Sequence, residues 1–102
     1  MKAIQFKEYG GPEVLQVVSL EKPVPGNNEV IIKIEAIGVN YADTARREGQ
    51  YVVPTPLPYV PGAEVAGTIE EVGEDVRHVK KGDRVVTLLG SKRATGYAEY
   101  TA

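Results

Sequence analysis

Few side chains in this sequence could act as a metal ligand, nucleophile or base. There is one histidine, His78, and no cysteine. Disulfides and thiolate metal sites are therefore excluded. A catalytic zinc usually takes three protein ligands drawn from His, Cys and carboxylates, and a lone His78 in a charged turn reads as a solvated residue. A Ser-His-Asp triad would have to join His78 to Ser19 or Ser91, and their spacing does not suggest one. Gly62-Ala63-Glu64-Val65-Ala66-Gly67 has the glycine spacing of a phosphate loop, but Thr68 and Ile69 stand where its lysine should follow. No G-x-G-x-x-G links a strand to a helix, so the dinucleotide fingerprint is missing. What remains is a polar run containing Asn40, Asp43 and Tyr51. None is a convincing acid or base, since an ordinary tyrosine titrates near pH ~10. They could donate or accept hydrogen bonds at a substrate oxygen. Read structurally, Asn40 and Asp43 cap a helix and Tyr51 packs on a loop.

The elements that must carry these residues are mostly strands. Eleven glycines and seven prolines cut the chain into short stretches rich in Val and Ile, the pattern of a sandwich or barrel. Met1 to Glu8 reads as a first strand with Ile4 and Phe6 on one face. Val14 to Leu20 is a second, after the Gly10-Gly11-Pro12 turn. Glu29 to Val39 is the clearest strand, with Val30, Ile32, Ile34 and Ala36 on one face and Lys33 and Glu35 on the other. Val65 to Gly73, Arg84 to Leu89 and Tyr97 to Thr101 complete the set. Asn40 to Glu48 is expected to be a short helix. Asn40 suits its N-cap, Asp43 its positive end and Arg46 and Arg47 its negative end, while Gly49 can close it in a left-handed conformation. Four prolines between Tyr51 and Pro61 make that segment a stiff, extended loop. The expected fold class is mainly β, with one short helix.

The 102 residues suffice for one domain. Twelve basic against fourteen acidic residues, interspersed, form no basic stripe for nucleic acid or an anionic membrane. No apolar run is long enough to cross a bilayer, and the start lacks a secretory signal. The expected location is cytoplasmic.

Specific peptides carry a resemblance. Ala36-Ile37-Gly38-Val39-Asn40-Tyr41-Ala42-Asp43-Thr44 resembles the "gvN-x-x-D" segment of quinone oxidoreductases in the medium-chain dehydrogenase/reductase superfamily. Tyr59-Val60-Pro61-Gly62-Ala63-Glu64-Val65-Ala66-Gly67 is similar to their "P-x-x-PG-x-E-x-AG" segment. Val72-Gly73-Glu74-Asp75-Val76, Lys81-Gly82-Asp83-Arg84-Val85 and Gly96-Tyr97-Ala98-Glu99-Tyr100 match the family's later motifs, in order. Met1-Lys2-Ala3-Ile4 and Gly10-Gly11-Pro12-Glu13-Val14-Leu15 match the start.

The resemblance implies a GroES-like, partly open β-barrel. It implies that residues 1–102 form the N-terminal domain of a longer enzyme whose Rossmann domain lies beyond them. It also implies NADPH as cofactor of such a parent and a quinone or another activated double bond as hydride acceptor. No cofactor is expected on this chain alone. Zinc-dependent relatives carry a cysteine ligand where Asn40 stands, a histidine ligand where Ala63 stands and a four-cysteine lobe near Leu89 to Gly96. Their loss implies the zinc-free branch and no bound metal. By that likeness Asn40 and Tyr51 are the expected catalytic side chains, with Tyr41, Asp43 and Arg47 beside them in the cleft. Ala45 stands where a cleft tyrosine is common, which leaves the pocket roomier. A homodimer is expected, through the helix, the Tyr51 to Pro61 loop and the Tyr97 to Thr101 strand. The alternative is a free-standing GroES-like binding or chaperone-type module.

Overall fold

The computed structural model describes residues 1–90 and 95–102. Ser91 and the interior of the Leu89 to Gly96 segment, where the cysteine lobe of zinc-dependent relatives would fall, lie outside the described residues. Strands β1 (Lys2–Gln5) and β2 (Gln16–Ser19) pair antiparallel. Strands β3 (Val30–Gly38), β4 (Glu64–Val72), β5 (Arg84–Leu88) and β6 (Tyr100–Thr101) form a second antiparallel sheet in the order β5-β4-β3-β6. Helix α1 (Tyr41–Arg47) follows β3, and the expected strand-rich class with one short helix is what forms.

The segment leading into β6 joins the two sheets. Ile4 N–H donates to the Tyr97 carbonyl and Glu99 N–H to that of Lys2, while Ile34 N–H donates to Glu99 from the other side. The ladder thus runs from β2 through β1, residues 97–101, β3 and β4 to β5. Among the described residues no pairing closes β2 onto β5, so the barrel is open. Tyr97 to Thr101, one of the elements expected at a dimer contact, has both edges paired, to β1 and to β3, and Thr101 is buried. Among the described residues the free edges are β2 and β5.

Short strands with a buried inner face give the alternation on β4, where Val65, Gly67 and Ile69 are buried between more exposed neighbours. On β3 the simple alternation fails. Register shifts fall between Ile31 and Ile32 and between Ile34 and Ala36. The first shift leaves Glu70 of β4 unmatched and the second leaves Glu35 of β3 unmatched; around them Ile31 and Ile32 are both buried and Ala36 is exposed. On β1 the buried positions are Ala3 and Gln5. Phe6 leaves the strand and turns inward to bridge Tyr59. The second strand starts at Gln16 because Pro12–Val14 winds into a 3-10 turn, with proline in the first position that suits it.

The core centres on Phe6 and Tyr59, ring centroids 5.7 Å apart, with Val14, Leu15 and Ala63 against them. The Tyr59 end of the proline loop is thereby sewn to β1 by two backbone hydrogen bonds of 3.0 Å, between Phe6 and Tyr59. This loop carries Tyr51 at its other end.

Candidate functional site

The helix starts and stops where its residues require. Asp43 reaches back to accept from the Asn40 N–H at 3.0 Å, while the Asp43 N–H donates to the Asn40 carbonyl. That pairing across three residues satisfies helix-start donors. Gly49 closes the other end with φ +75°, which a residue without Cβ adopts freely. The Asn40 side chain completes the capping box with the Asp43 N–H, and its Nδ2 donates to Glu64 Oε2 at 3.2 Å.

Asp43 is buried, and its Oδ2 also accepts from the Tyr97 hydroxyl at 2.8 Å. The sequence reading missed Tyr97, since nothing local marks a partner so far along the chain. It also missed Arg46. This arginine is 5% exposed, lies 4.3 Å over the Tyr51 ring and 5.2 Å over that of Tyr59, and donates to Thr55 Oγ1. Stacking of a desolvated guanidinium on two rings is worth on the order of 1–2 kcal/mol per ring. The sequence held a signal for it: Arg46 follows Asp43 by three residues and so shares its inward face.

The five expected site residues therefore divide. Asn40 and Tyr41 are exposed at the start of α1, Tyr41 by 87%. Asp43 is turned inward as a cap and anchor. Arg47 is committed to its surroundings: Nε donates to the Gly10 carbonyl and a terminal nitrogen pairs with Glu48, while Gly10 N–H donates back to the Arg47 carbonyl. Tyr51 sits against Arg46, on the last turn. Seven helical residues rise about 10 Å, so Asn40 and Tyr51 flank opposite ends of α1. A groove of about 430 Å³ lined by Ile4, Val17, Ile34 and Ile37 lies between the sheets and includes none of these five. His78 is exposed in the turn between β4 and β5.

Burial, and then the Asp43 carboxylate, push the Tyr97 phenol far above its ordinary value. Burial also raises that of Tyr59, partly offset by Arg46. Both phenols thus keep their protons in the folded chain after the unfolded chain has lost them near pH ~10. Their stabilising contribution is complete below that pH and is lost as pH rises toward the folded-state values. The expected result is an alkaline fall in stability of at most about 1.4 kcal/mol per pH unit for each tyrosine. Urea midpoints from pH 9 to 12 check it; Tyr97→Phe should flatten the slope, and an unchanged slope would refute the assignment.

The profile of the alcohol dehydrogenase GroES-like domain matches residues 26–102. The chain belongs to this family. Among curated relatives, the quinone oxidoreductase of Lama guanicoe is 52% identical over 101 residues, covering 98% of this chain and 30% of the relative. The Escherichia coli quinone oxidoreductase, solved with NADPH, superposes with a TM-score of 0.90 at 40% identity, over 98% of this chain and 30% of that one. A mycobacterial protein solved with NADPH gives 0.87 at 47%, over 99% and 30%. The chain thus spans about a third of the length of the relatives it matches.

At the start of α1 the Asp43 carboxylate already takes the position an anion would occupy, and its charge repels another. Among the described residues no three His, Cys, Asp or Glu cluster as a metal site. No described helix is long and apolar enough to cross a membrane.

Proposed function

We propose that the chain is the N-terminal, acceptor-side domain of an NADPH-dependent, zinc-independent quinone oxidoreductase of the cytoplasm. Likeness to quinone oxidoreductases along nearly all of its length is the observation that carries this reading. Hydride chemistry belongs to the cofactor, held outside these 102 residues; the protein orients the acceptor. The Asn40 amide and the Tyr51 hydroxyl are the donors. Preorganised donors aimed at an oxygen that gains negative charge stabilise that charge most where water is excluded. Tyr41, exposed beside Asn40, supplies a ring face for a planar acceptor, and Asp43 and Arg47 hold the helix that presents them. Alone, the chain binds no NADPH and reduces no quinone. The assembled enzyme is a homodimer.

A chimera tests this: the matching portion of the E. coli quinone oxidoreductase is replaced by residues 1–102, and NADPH oxidation is followed with a benzoquinone acceptor. The chimera should turn over. Asn40→Ala should lower kcat on the order of 10²-fold, the cost of removing one such donor, and Tyr51→Phe should act in the same direction, with circular dichroism unchanged in both. A well-folded chimera without quinone-dependent oxidation would refute the reading; wild-type rates in both variants would remove these residues from the site. Sedimentation equilibrium on the chimera reads the dimer.

A further inference from the structure

The reach of Glu64 to Asn40 depends on a gap in the neighbouring strand. Glu64 opens β4, and in the ladder it stands opposite Gly38 of β3 and Leu88 of β5. Its side chain lies across Gly38. A Cβ built on Gly38 would overlap the Glu64 carboxylate, with Cδ 2.7 Å and Cγ 3.1 Å away. Through that gap Oε2 arrives at the Asn40 amide, two residues further along the chain from Gly38.

An amide has two unlike ends, one that donates and one that accepts, and either could face a ligand. An ionised carboxylate only accepts. Beside Glu64 the amide must therefore turn its NH₂ inward to the carboxylate. The Oδ1 side faces the Asp43 N–H in the capping box, so one N–H is left for whatever meets the helix start. A hydrogen bond to a charged acceptor is also stronger than a neutral one.

From this geometry we infer that Glu64 is the positioning residue of Asn40, and that glycine at position 38 makes room for it. Glu64 does not touch the acceptor; it sets which face of the amide the acceptor meets. The inference deepens the proposed function and rests on Asn40 being the donor there.

Two experiments separate this inference from that reading. The first uses the 102-residue chain alone, labelled with ¹⁵N. Relaxation of the Asn40 side-chain NH₂ should report an ordered group in the wild type and in Glu64→Gln, which keeps an accepting oxygen. The group should become mobile in Glu64→Ala. It should also become mobile in Gly38→Ala, which keeps the carboxylate but fills its berth, and whose three nearest contacts are all with this movable side chain. Equal mobility in wild type and Glu64→Ala would overturn the inference whatever the chimera does.

The second uses the chimera. Glu64→Ala and Gly38→Ala should each lower kcat about tenfold or more, as misplacement of a reacting group does, with KM little changed. Neither should add to Asn40→Ala, and Glu64→Gln should restore most of the rate. Full kcat in both variants, or losses that add to Asn40→Ala, would overturn it. A folded chimera without activity would remove the functional reading and leave the spectra to decide the pairing.

Discussion

Gly67→Val should leave the chain unfolded at room temperature. Gly67 lies inside β4, opposite Ile34 of β3 and Val85 of β5. The β3 backbone passes so close that a Cβ here would overlap the Lys33 carbonyl oxygen and come within 2.9 Å of its carbon and of Ile32 Cγ2. A backbone carbonyl held in a ladder cannot step aside as a side-chain tip can. The close approach follows from the register shift after Ile34, which carries β3 over this glycine. Overpacking a tight core costs about 1–3 kcal/mol when neighbours give way. Here the two central strands must separate, so the cost should exceed that range and outweigh a stability that, for a small domain, lies toward the low end of about 5–15 kcal/mol. Thermal unfolding by circular dichroism checks it. Gly90→Ala is the control, since its Cβ would meet nothing within 4 Å. A Gly67→Val chain melting within a few degrees of wild type would show that the strands can part cheaply.

Phe6→Ala should cost about 3–5 kcal/mol, the usual range for emptying a fully buried aromatic site. Phe6 has no exposed surface, and its ring packs on Tyr59. The effect should reach the site. Tyr59 ends the stiff loop that begins near Tyr51, and Arg46 stacks on both rings. A cavity beside Tyr59 frees that ring, then Arg46, then Tyr51. Urea unfolding gives the stability loss. In the chimera, the same change should lower kcat at 20 °C even where the domain remains mostly folded. A stability loss with full kcat would show that Tyr51 is held without the core.

The strands and the helix were legible because they depend on neighbours along the chain. Val and Ile between Gly and Pro mark short strands, and Asn40, Asp43 and Gly49 mark the two ends of α1 at positions a few residues apart. The capping reading of Asp43 could be made from spacing alone, and the carboxylate does cap. The candidate Asn40 was legible from a motif, and it does stand exposed at the helix start.

The rest was decided between distant segments. Asp43 meets Tyr97 across 54 positions and Asn40 meets Glu64 across 24. Both meetings depend on strand register, and two irregularities in the β3–β4 pairing reset that register in a way no alternation of Val and Ile reveals. The neighbours Arg46 and Arg47 look alike in sequence, yet one is buried between two tyrosines and the other is spent on the Gly10 turn. A helix rotates successive residues by about 100°. Spacing from Asp43 turns Arg46 inward, but the rings it meets there are brought by the Tyr51 to Pro61 loop, whose Tyr59 packs on Phe6.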